Sequence, residues 1–377
     1  MKTLERIVIT CGGTGGHFYP GLAIARRALG RGVEALLLLS GVNSRRQSEI
    51  AAAAGVESVI LPEMPSPSGI AAALRFSIGF ARGTLASRRE LKHLPPEAVV
   101  GMGSFASLPV IVAATWGKIP VFLHDGNARI GRANRFLSRR ARFLGAAFPP
   151  VNGETCRCPV IDVGMPVREK LEAARKISRQ EAVAALNLKF NAGLRPELPT
   201  LLVFGGSQGA KIFNETVPEA ITRLGRGDFQ VLHLTGAGKL EATLDAYGRS
   251  TVPRLVIESD EEMEKFYGAA DLVISRSGGG TVAELALFGK PALLVPYPFA
   301  AEGHQHDNAR FYVSGGAGEL IDNAEFTVET AAGRIDAYLH APERLHTMSE
   351  AALKLARPDA AGVFLDLIAA ELNGCTA

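Results

Sequence analysis

The 377-residue chain is poor in cysteine, in tryptophan and in net charge, with four Cys, one Trp and a formal charge of +3. Cys11, Cys156, Cys158 and Cys375 are scattered, and no histidine stands at ligand spacing from them. A disulfide framework or a structural zinc is therefore not expected, and a reduced compartment is. The pair Cys156-Arg157-Cys158 is one residue tighter than C-x-x-C. The opening run carries Glu5 and Arg6 and ends in Gly12-Gly13, which does not fit a signal peptide. An unbroken apolar span is also missing. Residues 98–117 hold no charge and are long enough to cross a bilayer, but Gly101, Gly103, Ser104, Ser107 and Pro109 interrupt them. They read as a buried strand, a glycine turn and a buried helix ending near Trp116. The small net charge gives no ground for a nucleic-acid partner.

What is present is an ordinary globular composition, 47% hydrophobic and 21% charged, which excludes a disordered, collagen-like or coiled-coil chain. The length calls for two domains, since one core rarely serves more than about 250–300 residues. Charge is divided unevenly. Residues 1–165 hold 20 Lys and Arg against 10 Asp and Glu, and the remainder 21 against 28. One half is thus suited to an anionic surface.

Short apolar runs alternate with helical patterns. Candidate strands are Ile7–Cys11, Glu34–Leu39, Ser58–Leu61, Ala98–Gly101 and Val121–Leu123, then Thr200–Phe204, Val231–Leu234, Leu255–Ile257, Leu272–Ser275 and Ala292–Val295. Their apolar residues fall on both faces, as in parallel strands covered by helices. Ile7-Val-Ile-Thr-Cys-Gly-Gly is echoed by Leu201-Leu-Val-Phe-Gly-Gly. Two similar doubly wound, Rossmann-like α/β domains facing a cleft are expected, joined near Pro159–Pro166, with ligands beyond the carboxyl ends of the strands. The expected boundaries are 1–163, 164–341 and a helical tail, 342–377, packing back towards the first domain.

Glycine loops carry the chemistry. In Gly12-Gly13-Thr14-Gly15-Gly16-His17, four glycines in five positions let backbone approach an anion, with a helix N-terminus following. A tight strand-to-helix turn is the plain alternative. Phe18 breaks the G-x-G-x-x-G fingerprint, and no acid follows Leu39-Ser40 to hold a ribose, so NAD is not expected. Gly205-Gly206-Ser207-Gln208-Gly209-Ala210 is a second such loop, where Ser207 can cap the helix or meet a phosphate. In Arg276-Ser277-Gly278-Gly279-Gly280-Thr281-Val282-Ala283-Glu284, Arg276 can neutralise a phosphate. Glu284 can accept from ribose hydroxyls, or simply complement the helix dipole. Pro296–Ala309 offers amide and imidazole donors for sugar hydroxyls, and His304 and His306 are too close to share one helix face as a metal pair. His124-Asp125-Gly126-Asn127 ends a strand. Asp125 beside His17 would give a carboxylate and an imidazole for general-base chemistry, or it is a turn residue. Residues 70–92 and 129–142 interleave apolar side chains with Arg82, Arg88, Arg89, Arg135, Arg139 and Arg140, which suits an anionic membrane surface or a core helix with a solvated face.

Taken together these motifs resemble the MurG family of peptidoglycan glycosyltransferases. The match runs through G-G-T-G-G-H-x-x-P-G at 12–21, G-M-G-S-F at 101–105, H-D-G-N at 124–127, G-M-P-V-R at 164–168, G-G-S-Q-G-A at 205–210, R-S-G-G-G-T-V-A-E at 276–284 and H-Q-x-x-N-A at 304–309. The resemblance implies a GT-B fold and an inverting transfer from UDP-N-acetylglucosamine to the C4 hydroxyl of undecaprenyl-diphosphoryl-muramoyl-pentapeptide, by a peripheral enzyme on the cytoplasmic face of the bacterial membrane. It maps Glu284 to the ribose, Ser207 and Arg276 to the donor diphosphate, and Gln305 with His304 to the sugar hydroxyls. Arg168 and Asn214 fall on the donor side. Gly13, Thr14, Gly15, Gly16 and Asn127 fall on the acceptor side with His17 and Asp125, either of which could be the base. No D-x-D pair is present to hold a metal, and no cofactor is expected. The chain departs from the family pattern at Ser104-Phe105 for G-Y, at Asp125-Gly126 for E-Q and at Ser259–Met263 for F-I-D-D-M. A UDP-N-acetylglucosamine 2-epimerase or a glycolipid transferase with another acceptor would share the fold. A soluble epimerase would not need the basic and apolar stretch at 70–92. A non-catalytic nucleotide-sugar binder would not need His17 and Asp125.

Overall fold

The structure, a computed structural model, describes residues 4–63, 70–206, 208–248 and 250–374, with backbone alone for 70–75. Ser207 and Cys375, both singled out from the sequence, lie outside the described residues. The chain divides into two units, Met1–Glu169 with Arg357–Ala377, and Lys170–Ala356.

The first unit is built on β1 (Arg6–Gly12), β2 (Glu34–Ser40), β3 (Glu57–Ile60), β4 (Ala98–Gly101), β5 (Val121–Asp125), β6 (Leu144–Ala146) and β7 (Val160–Asp162). They form one parallel sheet in the order β3-β2-β1-β4-β5-β6-β7. Side chains alternate between its faces. Ile7, Ile9, Leu37, Leu39, Val100 and Phe122 bury one face with the helices Gly15–Leu29 and Ala360–Leu372. Val8, Leu36, Leu38, Val99, Val121 and Leu123 bury the other.

The second unit repeats the plan with β8 (Thr200–Phe204), β9 (Gln230–Leu234), β10 (Arg254–Ile257), β11 (Leu272–Ser275), β12 (Ala292–Leu294) and β13 (Gly318–Leu320), all parallel in the order β10-β9-β8-β11-β12-β13. In both units the order reverses direction beside the first strand, the switch point of a doubly wound sheet. This is the expected fold class.

All ten expected strands are present. Three more, β6, β7 and β13, were not legible, because Leu144-Gly-Ala, Val160-Ile-Asp and Gly318-Glu-Leu form no apolar run. The division falls after Glu169 rather than after 163. His124 Nε2 donates to Gly164 O at 3.0 Å, and Met165 is buried, so this segment stays with the first sheet. The tail also splits. The helix Pro342–Leu355 packs Leu345 and Met348 into the second core, and Ala360–Leu372 alone returns to the first, through Phe364, Leu365 and Ile368. The helix Leu108–Trp116 ends where expected. Among the described residues no helix is long and apolar enough to cross a membrane.

Candidate functional site

In the first unit the candidate residues gather at the carboxyl ends of β1 and β5. Gly12 turns the chain at φ +144°, where an added Cβ would lie 2.2 Å from Ser40 O, and Gly13 follows at φ +79°. Asn43 Nδ2 holds Gly13 O at 2.8 Å. Thr14 stands at the N-cap of the helix Gly15–Leu29, but its side chain does not cap it, and no acid lies in the first turn. Gly15 and Gly16 thus present first-turn N–H groups at the positive end of the helix. A Cβ at Gly16 would meet nothing nearer than 3.8 Å, so packing does not demand that glycine.

His17 lies in the same first turn. It lies near enough to Asp125 and His124 to act on both electrostatically, so the imidazole and carboxylate that the sequence paired fall in one neighbourhood. Asp125 is buried and fully engaged. Oδ1 accepts from Asn127 N at 3.1 Å, and Oδ2 from Gly131 N at 2.8 Å and Asn134 Nδ2 at 3.0 Å. Burial pushes its carboxyl up, against those donors and the charge of His17. The same hydrogen bonds make Asp125 the organiser of the 125–131 turn. His124 is driven down to about 4, chiefly by burial. Gly164 O can only accept, so Nε2 carries the proton of the neutral ring. Gly103 (φ +90°) fits against Asn134, whose Nδ2 would be 2.8 Å from an added Cβ. This seats the departing Ser104-Phe105 pair close to Asn134 and leaves the Phe105 ring exposed. Arg168, expected on the donor side, belongs to the first unit, with its guanidinium 5.6 Å from the Tyr19 ring centroid.

In the second unit the loop after β8 rests against the one after β9, and the loops after β11 and β12 are tied to each other. Gly209 (φ +63°) sits so close to Thr235 that a Cβ would lie 1.9 Å from its carbonyl oxygen. The helix Lys211–Leu224 that follows has no side-chain cap. Nor does Gly279–Leu287, whose N-cap is Gly278. By contrast, Ser178, Thr327 and Asp359 close the helices behind them with side-chain oxygens. Asn214 is buried, and its amide works inside the fold, donating to Thr235 O at 3.0 Å.

Arg276 is half-buried between the rings of Phe213 and Tyr297, 5.0 and 5.5 Å from their centroids. Its Nη1 donates to Val295 O, Pro296 O and Asn323 Oδ1 at 2.8–3.0 Å. Among the described residues Nε and Nη2 make no further hydrogen bond. Gln305 Oε1 accepts from Tyr297 N at 2.9 Å, which turns its NH₂ away from that loop. Ser277 donates to Gln305 O, and Asn308 donates to Ser277 O, binding the 276–280 loop to the helix His304–Ser314. His304 Nδ1 donates to Ala301 O, leaving Nε2 as the ring acceptor. Glu284, six residues into its helix, accepts from the buried Tyr267 hydroxyl at 2.8 Å.

Sequence reasoning missed the residues that hold these groups: His124 as a buried donor, Asn134 on Asp125, Asn323 on Arg276, Tyr267 on Glu284, Ser277 on Gln305 and Asn308 on Ser277. Their partners lie up to 47 residues away, as for Arg276 and Asn323. No local pattern reports such a contact.

Comparison with known proteins bears on what this arrangement does. Residues 7–144 match the glycosyltransferase family 28 N-terminal domain, and residues 200–363 its C-terminal domain. A UDP-N-acetylglucosamine–N-acetylmuramyl-(pentapeptide) pyrophosphoryl-undecaprenol N-acetylglucosamine transferase of Rhodospirillum centenum is 34% identical over 371 residues, covering 97% of this chain and 94% of the relative. The protein of the same name from Aeromonas hydrophila is 36% identical, covering 95% and 94%. The crystal structure of Acinetobacter baumannii MurG superposes with a TM-score of 0.78 at 27% identity, over 97% of this chain and 99% of that one. A UDP-GlcNAc 2-epimerase from Neisseria meningitidis reaches 0.69 at 13% identity, over 96% and 99%, a likeness of fold alone.

Proposed function

The chain belongs to the family of UDP-N-acetylglucosamine–N-acetylmuramyl-(pentapeptide) pyrophosphoryl-undecaprenol N-acetylglucosamine transferases, and from that premise we propose how its residues perform the transfer. It moves N-acetylglucosamine from UDP-N-acetylglucosamine to the C4 hydroxyl of undecaprenyl-diphosphoryl-muramoyl-pentapeptide, a step of peptidoglycan synthesis. The observation that carries this reading is the nearness of His17 to the buried Asp125 at the mouth of an uncapped helix.

The acceptor C4 oxygen attacks the anomeric carbon of the donor. The new C–O bond forms as the bond to the β-phosphate oxygen breaks, and the configuration inverts. His17 takes the hydroxyl proton. Asp125 has three N–H donors on its two oxygens, so it acts by holding the turn and by supporting positive charge on His17. Gly13, Thr14, Gly15, Gly16 and Asn127 receive the acceptor. The electron pair leaves on UDP. Arg276, through Nε and Nη2, and the N-termini of Lys211–Leu224 and Gly279–Leu287 meet that charge, with Ser207 in the loop before the first of them. In this reading they take the part a metal plays elsewhere, and no cofactor is needed. Glu284 receives the ribose, and His304 and the NH₂ of Gln305 the sugar hydroxyls. Arg168 and Asn214 serve the donor from outside the reacting centre.

The enzyme works at the cytoplasmic face of the membrane as a peripheral protein. Support comes from the helix Ile70–His93, which buries Gly83, Thr84, Ser87 and Leu91 and exposes Ile78 and Leu85 among Arg82, Arg88 and Arg89. A second support is the exposed Phe136, with Arg139 4.4 Å and Arg140 5.6 Å from its ring centroid. Apolar groups ringed by cations suit anionic lipid.

Incubation with labelled UDP-N-acetylglucosamine and a short-chain lipid-linked muramoyl-pentapeptide tests the reading. Label passing into the lipid fraction is expected. Label found only in UDP-N-acetylmannosamine or free sugar would overturn it.

A further inference from the structure

The second unit contains a buried polar chain of which the reaction described above uses only Asn214. Tyr247 and His233 are fully buried, and Asn214 is nearly so. The Tyr247 hydroxyl is 2.9 Å from His233 Nδ1, His233 Nε2 is 3.1 Å from Asn214 Oδ1, and Asn214 Nδ2 is 3.0 Å from Thr235 O. The direction of every bond follows from the last one. A backbone carbonyl only accepts, so the Asn214 amide must present its NH₂ to Thr235 and its oxygen to His233. His233 must then carry its proton on Nε2, which leaves Nδ1 to accept from Tyr247 O–H. Burial drives His233 down to about 3, so the ring stays neutral at physiological pH. Tyr247 is itself fixed at the far end, with its ring facing the His233 ring at 86° and the Arg254 guanidinium 5.2 Å away.

The chain ends on the loop that matters. Thr235 O is the atom a Cβ at Gly209 would strike, so the carbonyl gripped by Asn214 is the floor on which Gly209 rests. Asn214 also lies in the first turns of the helix that this loop opens, its own N–H reaching Ala210 O. Among the described residues the second hydrogen of Asn214 Nδ2 makes no bond.

We propose that His233 is a positioning residue for the donor: as the Nε2–H tautomer it orients the Asn214 amide, and through Thr235 the Gly209 turn before the helix Lys211–Leu224, towards the diphosphate of the nucleotide sugar. This rests on the reading of the second unit as the donor-binding half. Such a role belongs to binding more than to the bond-making step, and to the phosphates rather than to the base.

The test compares the wild type with His233→Phe, His233→Gln and Tyr247→Phe. It reads kcat, KM for UDP-N-acetylglucosamine, KM for the lipid acceptor, and calorimetric affinity for UDP and for uridine. His233→Phe keeps the ring's bulk and loses the donor, and raises the donor KM and the UDP Kd about tenfold. Acceptor KM, kcat and uridine affinity hold within about twofold. His233→Gln offers an amide N–H near the place of Nε2 and recovers most of the loss. An unchanged donor KM in His233→Phe, equal losses in His233→Phe and His233→Gln, or an equal loss for uridine overturns the proposal. If His233→Phe does not fold, Tyr247→Phe decides. It removes only the hydrogen bond to Nδ1 and raises the donor KM about threefold, and an unchanged KM overturns the proposal. A wild type that binds no UDP defeats the donor-binding reading itself. A wild type that binds UDP, with His233 variants indistinguishable from it, defeats this inference alone.

Discussion

His17 and Asp125 are separated by what surrounds them. Asp125 is buried with both oxygens hydrogen-bonded, whereas His17 is half-exposed on a helix start that nothing caps. On the proposed reading, that difference gives the proton transfer to His17. His17→Ala should lower kcat about 10²–10⁴-fold, the usual worth of a general base, with UDP affinity nearly unchanged. Equal losses in kcat and UDP affinity would remove His17 from that role. His124 makes a different prediction. Its ordinary pKa of 6.5 falls to about 4 in the fold. Between those values the unfolded chain holds a proton that the folded chain refuses, so stability rises with pH. The contribution is complete above about pH 6.5 and is lost as pH falls towards 4, at about 1.4 kcal/mol per pH unit. His124→Gln keeps a donor for Gly164 O and cannot titrate. Its melting temperature should depend less on pH between 7 and 5 than that of the wild type, and an equal dependence would contradict the account.

At the scale of elements, the glycine loops carry two separable demands. Gly206 (φ +81°) has open space where a Cβ would stand, whereas Gly209 (φ +63°) is pressed against Thr235 O. Gly206→Ala should therefore cost only backbone strain, about 1–2 kcal/mol. Gly209→Ala should cost at least about 3 kcal/mol, because backbone has to move as well. Urea melts of the two variants check the order. The loops were legible in the sequence because glycine clusters after apolar runs have a local cause. So were the strands with Val, Ile and Leu on both faces, such as Ile7–Cys11 and Thr200–Phe204. The short strands β6, β7 and β13 were not, since Leu144-Gly-Ala, Val160-Ile-Asp and Gly318-Glu-Leu make no apolar run and are placed by their neighbours. The position of Arg168 in the first unit, and the grip of Asn323 on Arg276, also escaped notice, since both depend on contacts remote in sequence.

For the whole molecule, a net charge of +3 conceals an imbalance. The 20 Lys and Arg against 10 Asp and Glu of residues 1–165 lie in the unit whose surface carries Arg82, Arg88, Arg89, Arg139 and Arg140. On the proposed reading, the acidic remainder meets an anionic nucleotide through local groups, Arg276 and helix N-termini, rather than through its overall field. Reversing Arg82, Arg88 and Arg89 to Glu should weaken sedimentation with anionic vesicles and leave UDP affinity unchanged, and undiminished sedimentation would contradict the membrane assignment. The two units repeat one strand order, and the fold is similar to that of an epimerase of 13% identity. Chemistry must therefore be decided by product. The most direct measurement is NMR of the product formed from ¹³C-labelled UDP-N-acetylglucosamine and the lipid-linked acceptor. The account predicts a β-linked N-acetylglucosamine on the muramoyl C4 oxygen with release of UDP. An α-linkage, or UDP-N-acetylmannosamine with the acceptor untouched, would contradict it.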